Sequence, residues 1–395
     1  MKQLIAQYLR GDRVIWMVCL ILGLVSILAV YSSISSLAYK YTEGNTFYYL
    51  FKHGIMLITG FVIMYFVHKI NYRYFSRLSQ IAIWLAAILL ILTLLLGVNL
   101  NDASRWIKIP LINQNFQTSD FAKIALIAYV ARMLTLRKEF FHSFKEGLLP
   151  ILIPIVIICG LILPANFSTA AMLFMVCVTL LFVGGIPFKH LVMVFAIAGA
   201  GFALLLVLST SFPDLLPRVE TWKTRLLSYE SGDSEANYQV EHAMMAIQSG
   251  GVFPTGPGTG DSRNYLPHPY SDMIFAFIIE EYGTIIGGCG LLLLYLIFLY
   301  RALRLARKCE RNFGSLLVIG MSFLIAFQAF INMGVAVSLL PVTGQPLPLV
   351  SMGGTSIWFT CIAVGMILSV SRSVYEGEKI PGVNRVKKKK DYAVA

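Results

Sequence analysis

The sequence predicts an all-α, polytopic integral membrane protein with about ten transmembrane helices and one large extracytoplasmic loop, and three observations lead there. Of 395 residues, 57% are hydrophobic and only 13% charged, whereas a soluble domain carries about 25% charged residues. The apolar residues run in blocks long enough for the hydrocarbon core, which takes about 20 residues of helix. The blocks also lack strand-type alternation, and a backbone in lipid satisfies its own polar groups most simply as a helix.

The expected spans lie near 14–36, 47–68, 79–99, 119–135, 146–163, 166–186, 188–210, 272–300, 313–338 and 350–371. The first follows a short basic stretch but is too long for a secretory h-region and lacks a small-residue cleavage site, so it reads as a span. Only Pro164 and Ala165 separate the fifth from the sixth, which makes that turn tight.

A formal net charge of +12 would suit nucleic acid, but its distribution points to a membrane and to no nucleic-acid partner. Basic residues cluster in alternate short loops: Lys2, Arg10 and Arg13; Lys69, Arg73 and Arg77; Arg137, Lys138 and Lys145; Arg301, Arg304, Arg307, Lys308 and Arg311. By the positive-inside rule both termini are cytoplasmic, which requires an even number of spans. Residues 1–372 form the membrane domain. Residues 373–395, with Lys379, Arg385 and the run Lys387 to Lys390, read as a disordered basic tail held near anionic lipid.

The loop at about 210–272 then lies outside, with eight acidic residues against four basic. Within it, Val240, Ala243, Met244 and Ile247 follow the i, i+3, i+4, i+7 template, and Gly250-Gly251 makes a C-cap. This pattern predicts an amphipathic helix at the membrane surface. The segment Pro254 to Gly260 is irregular because of its prolines and glycines. The six cysteines fall in or beside apolar spans without paired spacing and read as small core residues. The six histidines show no metal spacing, and no nucleotide-loop, dinucleotide or serine-hydrolase motif is present.

Four segments carry groups suited to chemistry. Asp272 opens the apolar eighth span after Pro267-His268-Pro269-Tyr270-Ser271. It reads equally as an N-cap and as a general base for a sugar hydroxyl. Glu280, farther along the same span, reads first as a partnered structural carboxylate. Asp120 and Lys123, spaced i, i+3 at the start of span four, form either a self-contained ion pair or a lysine presented to phosphate. In Ser104-Arg105-Trp106-Ile107-Lys108, Trp106 suits the interfacial belt or a sugar face, and Arg105 suits phosphate. Arg218 and Arg225 in the large loop are phosphate ligands or salt-bridge partners at equal weight. The uncharged run Pro341 to Ser356 reads as a rigid outer turn whose glycines let span ten pack closely, ahead of a role in shaping substrate. Gln328 and Asn332 in span nine read as interhelical hydrogen-bond formers.

Taken in order, these segments resemble the SEDS family, the shape, elongation, division and sporulation proteins of the bacterial envelope. The likeness rests on Arg105-Trp106-Ile107, Gln117 to Lys123, Tyr238-Gln239 with Ala246 to Gly251, Leu266 to Gly283, and Pro341 to Thr355. It implies a peptidoglycan glycosyltransferase of the bacterial inner membrane that polymerises lipid II, with Asp272 as its essential aspartate. Arg105, Trp106, Asp120, Lys123, Arg218, Arg225 and Gln239 are the implied substrate-binding residues. It also implies a class B penicillin-binding protein as transpeptidase partner and, in the division branch, small bitopic divisome proteins. No dedicated cofactor site is evident; a divalent cation, Mg2+ or Mn2+, is one option for sharing the diphosphate charge.

The chain departs from the family pattern in places. Pro164-Ala165-Asn166-Phe167-Ser168-Thr169-Ala170 stands where the family has Pro-Asp-Leu-Gly-Thr-Ala, so the charge there is missing. Gln117-Thr118-Ser119-Asp120 replaces Gln-Pro-Ser-Glu and keeps the carboxylate. Pro269-Tyr270-Ser271-Asp272 replaces Glu-His-Thr-Asp and keeps only the aspartate. The loop wording is closer to the division branch than to the elongation branch. The rival reading from another class is a flippase for the same lipid-linked precursor.

Overall fold

The computed structural model describes residues 10–34, 45–96, 98–100, 103–109, 114–211, 235–262 and 270–378. Its helices are α1 (Arg13–Ser33), α2 (Thr46–Lys69), α3 (Arg73–Leu96), α4 (Thr118–Leu136), α5 (Leu149–Ile162), α6 (Phe167–Gly184), α7 (Phe188–Ser211), α8 (Glu235–Gly250), α9 (Ile274–Tyr282), α10 (Gly290–Lys308), α11 (Asn312–Ala336) and α12 (Ser356–Glu378). A π-helical turn, Gly283–Cys289, joins α9 to α10, so the two act as one interrupted span. With α8 set apart as the loop helix, ten spans stand at the expected positions.

Eight of these spans are long and apolar enough to cross a membrane on composition alone. The other two are α4 and α7. With Asp120, Lys123 and Arg132 in its sequence, α4 is less apolar, yet most of its side chains are enclosed by neighbouring helices. A span surrounded by protein does not need an apolar face toward lipid.

Local chemistry sets the ends. Asn166 caps α6 by accepting from Thr169 N at 3.1 Å, and Gly185 ends it with a φ of 96°. Several boundaries differ from expectation, among them the end of the eighth span, at Lys308 rather than 300. The third span begins at Arg73 rather than 79, because Tyr72 and Phe75 are buried and Asn71 Oδ1 accepts from Arg73 N at 3.2 Å. The tenth begins at Ser356 rather than 350, because Leu349 and Gly354 hold φ values of 63° and 56° that no right-handed helix accepts. Its helix runs to Glu378, six residues past the expected end of the membrane domain; the rest of the basic tail lies outside the described residues.

A three-stranded antiparallel sheet adds to the all-α design: β1 (Val98–Leu100), β2 (Ala103–Ile109) and β3 (Gln114–Gln117), in that order. Trp106 pairs with Gln117 and Ile107 with Phe116. Because β3 runs directly into α4, the sheet sits over the start of that helix.

Small residues let the helices approach closely. A Cβ on Gly365 of α12 would stand 2.8 Å from Val67 Cβ of α2, and one on Gly60 of α2 would stand 2.9 Å from Cys361 Sγ of α12. The close packing of the tenth span therefore comes from Gly60 and Gly365. The glycines of the 341–356 loop serve the turn instead, and a Cβ on Gly354 would meet nothing within 4 Å. Cys19, Cys159, Cys177 and Cys361 are buried as expected of core residues, whereas Cys289 is exposed; all are free thiols.

The two ends of the chain meet. Asp12, the N-cap of α1, accepts from Val14 N at 2.9 Å and pairs with Arg301 of α10 at 2.7 Å. Its backbone N–H donates to Ser371 Oγ of α12, also at 2.7 Å. Residues 12 and 371 thus lie at one end of the bundle, as an even number of crossings requires.

Candidate active site

Asp272 lies in the turn before α9. It is not the helix cap: that position belongs to Met273, which makes no side-chain capping bond. The capping alternative is thereby removed. The carboxylate is half-buried. Ser271 Oγ donates to its Oδ1 at 2.7 Å, and Oδ2 has no hydrogen-bond partner among the described residues. Gly344, whose φ of 65° favours glycine, lies beside Oδ2: a Cβ there would meet it at a contact distance of 3.5 Å.

The 341–355 loop and span nine hold the turn by its backbone. Met352 N donates to Tyr270 O at 2.9 Å, and Ser351 Oγ donates to Ser271 O at 2.6 Å. Asn332 Nδ2 donates to both Asp272 O and Gln345 O, each at 2.8 Å. Gln345 Nε2 reaches Thr169 Oγ1 at the start of α6, at 2.5 Å. Thr355 accepts from Gln117 N at 3.3 Å and donates to Asn115 O at 3.2 Å, tying the loop to β3. The run Pro341 to Ser356 is therefore a rigid turn, as expected, and it also frames the aspartate.

Asp120 and Lys123 form the ion pair, with Lys123 Nζ 2.7 Å from Asp120 Oδ1. Both are buried, at 2% and 4% exposure. Lys123 also donates to Gln328 Oε1 at 3.4 Å, and Gln328 Nε2 donates to Pro346 O at 2.9 Å. The lysine is thus closed in a protein network that leads to the Asp272 loop, which is the self-contained alternative. Gln328 and Asn332, one turn apart on α11, are the interhelical hydrogen-bond formers expected, and they join the two carboxylates into one framework.

The other candidates are placed less closely. Trp106 is half-buried on β2 opposite Gln117, Arg105 precedes it on the same strand, and Gln239 is half-buried on α8. Arg218 and Arg225 lie outside the described residues.

The loop helix α8 exists, and most of its expected apolar face is covered: Val240 and Ile247 pack against the core beside Ala243. Ala243 and Ala246 are buried at 0% and 2%, while Met244 is 42% exposed. Its C-terminal end packs closely on α9: a Cβ on Gly250 would fall 2.3 Å from Ile279 O, so the helix ends flush against that backbone. Glu280 is the structural carboxylate expected, 6% exposed. Its Oε1 accepts from Asp261 N at 3.0 Å and Ser262 N at 3.1 Å, and its Oε2 accepts from Ser262 Oγ. Its neighbour Glu281, fully buried, accepts from Gly258 N at 2.7 Å and from Ser32 Oγ of α1. Together they staple the irregular Pro254 to Gly260 segment to span eight. Sequence reading passed over Glu281 and Ser351; an ionisable residue inside an apolar run was the available signal for the first.

The chain aligns with known proteins over most of its length. The family model described as cell cycle protein, FtsW/RodA/SpoVE, matches residues 12–376. Stage V sporulation protein E of Bacillus subtilis is 32% identical, over 91% of this chain and 97% of that protein. The probable peptidoglycan glycosyltransferase FtsW of Nitrosococcus halophilus is 32% identical, over 83% and 84%. Among solved structures, a chain from work on structural coordination of polymerization and crosslinking by a peptidoglycan synthase complex superposes with a TM-score of 0.70 at 25% identity, covering 92% of this chain and 98% of that one. The rod shape determining protein RodA of Thermus thermophilus shares the fold at a TM-score of 0.65 and 22% identity, covering 93% and 99%. A multi-pass bundle carrying a framed aspartate, matched by the family model from its first helix to its last, belongs to the FtsW/RodA/SpoVE family.

Proposed function

We infer that this chain is a peptidoglycan glycosyltransferase that polymerises lipid II at the outer face of the bacterial inner membrane, with both termini cytoplasmic, for septal wall synthesis in division. The single observation that carries the reading is the Asp272 carboxylate, fixed by its backbone at the seam of loop and span with Oδ2 open. A base must reach the proton it takes, and an oxygen already saturated with donors cannot. Asp272 takes or orients the proton of the acceptor sugar's 4-hydroxyl as that oxygen attacks the donor's anomeric carbon. The bond to the donor's diphosphate breaks, and the lipid diphosphate leaves with the electron pair.

Cationic groups stabilise the charge that builds on that leaving group. Arg105, Arg218 and Arg225 are our candidates, with Trp106 and Gln239 for the sugars. Lys123, closed against Asp120, acts through the framework. Among the described residues no three His, Cys, Asp or Glu side chains gather into a metal site. The partners we propose are a class B penicillin-binding protein and bitopic divisome proteins. The test is polymerisation of lipid II by the purified chain with its transpeptidase. Asp272→Ala should abolish glycan strands while the protein stays folded; normal polymerisation by that variant would end the catalytic assignment. A flippase has no need of a base at the outer face, so lipid translocation unaffected by the substitution would favour the transport rival.

A further inference from the structure

The turn that templates Asp272 is itself strained, and groups on three helices outside the site hold it. Leu349 is 3% exposed with a φ of 63°, a left-handed conformation that costs a non-glycine residue about 1–2 kcal/mol and persists only where its surroundings over-determine it. The carbonyls on either side of Leu349 are both tied. Tyr295 Oη of α10 donates to Pro348 O at 2.5 Å, and Ser26 Oγ of α1 donates to Val350 O at 2.7 Å. Ser351 Oγ accepts from Leu347 N at 2.7 Å before passing its own proton to Ser271 O.

Ser26 has a second partner, His53 Nε2 of α2, at 2.7 Å. A hydroxyl has one proton, and that of Ser26 goes to Val350 O, which only accepts. The bond to the imidazole must therefore use a proton on His53 Nε2. The ring therefore carries a proton on Nε2, and its buried Nδ1 has no hydrogen-bond partner among the described residues. Ser26 and His53 are 0% and 1% exposed.

We propose that His53 and Ser26 are positioning residues for Asp272: the chain His53 Nε2–H, Ser26 Oγ–H, Val350 O locks the left-handed Leu349 turn, and Ser351 and Met352 carry that geometry to Ser271 and Tyr270. The inference rests on the catalytic reading of Asp272. A base displaced by a fraction of an ångström still permits substrate binding but loses turnover, so the signature is a fall in kcat at constant KM.

The test measures kcat and KM for lipid II with the full chain and its transpeptidase, beside the thermal midpoint of each variant. Ser26→Ala and His53→Leu should each lower kcat about tenfold with KM for lipid II unchanged within about twofold, the scale expected of a misplaced catalytic group. Ser26→Thr, which keeps the hydroxyl, and His53→Gln, which keeps a donor, should restore most of the rate. Ser322→Ala controls for loss of a buried hydroxyl: that side chain bonds only to Ile319 O of its own helix, at 3.0 Å, and its kcat should match wild type. Wild-type kcat in both Ser26→Ala and His53→Leu, with Asp272→Ala inactive, overturns the positioning chain and leaves the catalytic reading standing. Losses that track the thermal midpoint alone, or that His53→Gln fails to repair, overturn it as well. An active Asp272→Ala overturns the catalytic reading itself.

Discussion

Glu280 and Asp272 stand eight residues apart at the same end of one span, and their surroundings are opposite. Glu280 is buried and each of its oxygens accepts a proton from the Asp261-Ser262 stretch. Asp272 is half-buried, with a neighbouring hydroxyl on Oδ1 and no hydrogen-bond partner for Oδ2 among the described residues. Two carboxylates near the start of one span thus take different work. Saturated lone pairs make a strut, and an unsaturated one makes a base. The Asp120–Lys123 pair extends the contrast, since it is buried and tied through Gln328 into the protein's own network.

Substitutions separate these roles. The largest effect is expected at Asp272, where Asn keeps the shape and removes the base. Polymerisation should fall by about a thousandfold with the thermal midpoint unchanged, and a midpoint that drops in step would make Asp272 a strut like Glu280. Lys123→Met comes next, read as stability: it strands a buried carboxylate at a cost of about 3–5 kcal/mol, much of which the double variant Asp120→Leu with Lys123→Met should recover. A double variant that stays folded yet inactive would instead give the pair a chemical role. Glu280→Gln puts an amide N–H against backbone donors and should cost about 2 kcal/mol. Protease nicking within 254–262 is its readout, and unchanged resistance would refute the staple. The smallest is Gly365→Ala, where overpacking against Val67 should cost about 1–2 kcal/mol in thermal unfolding without altering KM.

Much of this was legible in the residues. Block length gave ten spans and the helix-bearing loop before the eighth, because lipid imposes helix on any long apolar run. The i, i+3 spacing of Asp120 and Lys123 foretold their pair, and isolated amides in an apolar span marked Gln328 and Asn332 as bond formers. The sheet at 98–117 was not legible: its strands are three to seven residues long, too short for alternation to register. Of the expected apolar face of α8 only Met244 is exposed, and Ala246 stands against the core instead. Sequence could not separate cap from base at Asp272, since the distinction depends on a helix start one residue further along. Nor could it show Ser26 and His53 facing Val350, some 300 positions away.

The clasp between Asp12, Arg301 and Ser371 bears on how the molecule is made. Its first helix enters the membrane early in synthesis, yet the serine that receives the Asp12 N–H is translated about 360 residues later. Until then the carboxylate has the N–H groups of α1 and waits for its other partners. Assembly therefore closes on itself at the last helix, and a chain cut short before Ser371 should insert its early spans and still be recognised as unfinished. A premature stop codon near residue 360, followed by measuring how fast quality-control proteolysis removes the product, would expose that final step.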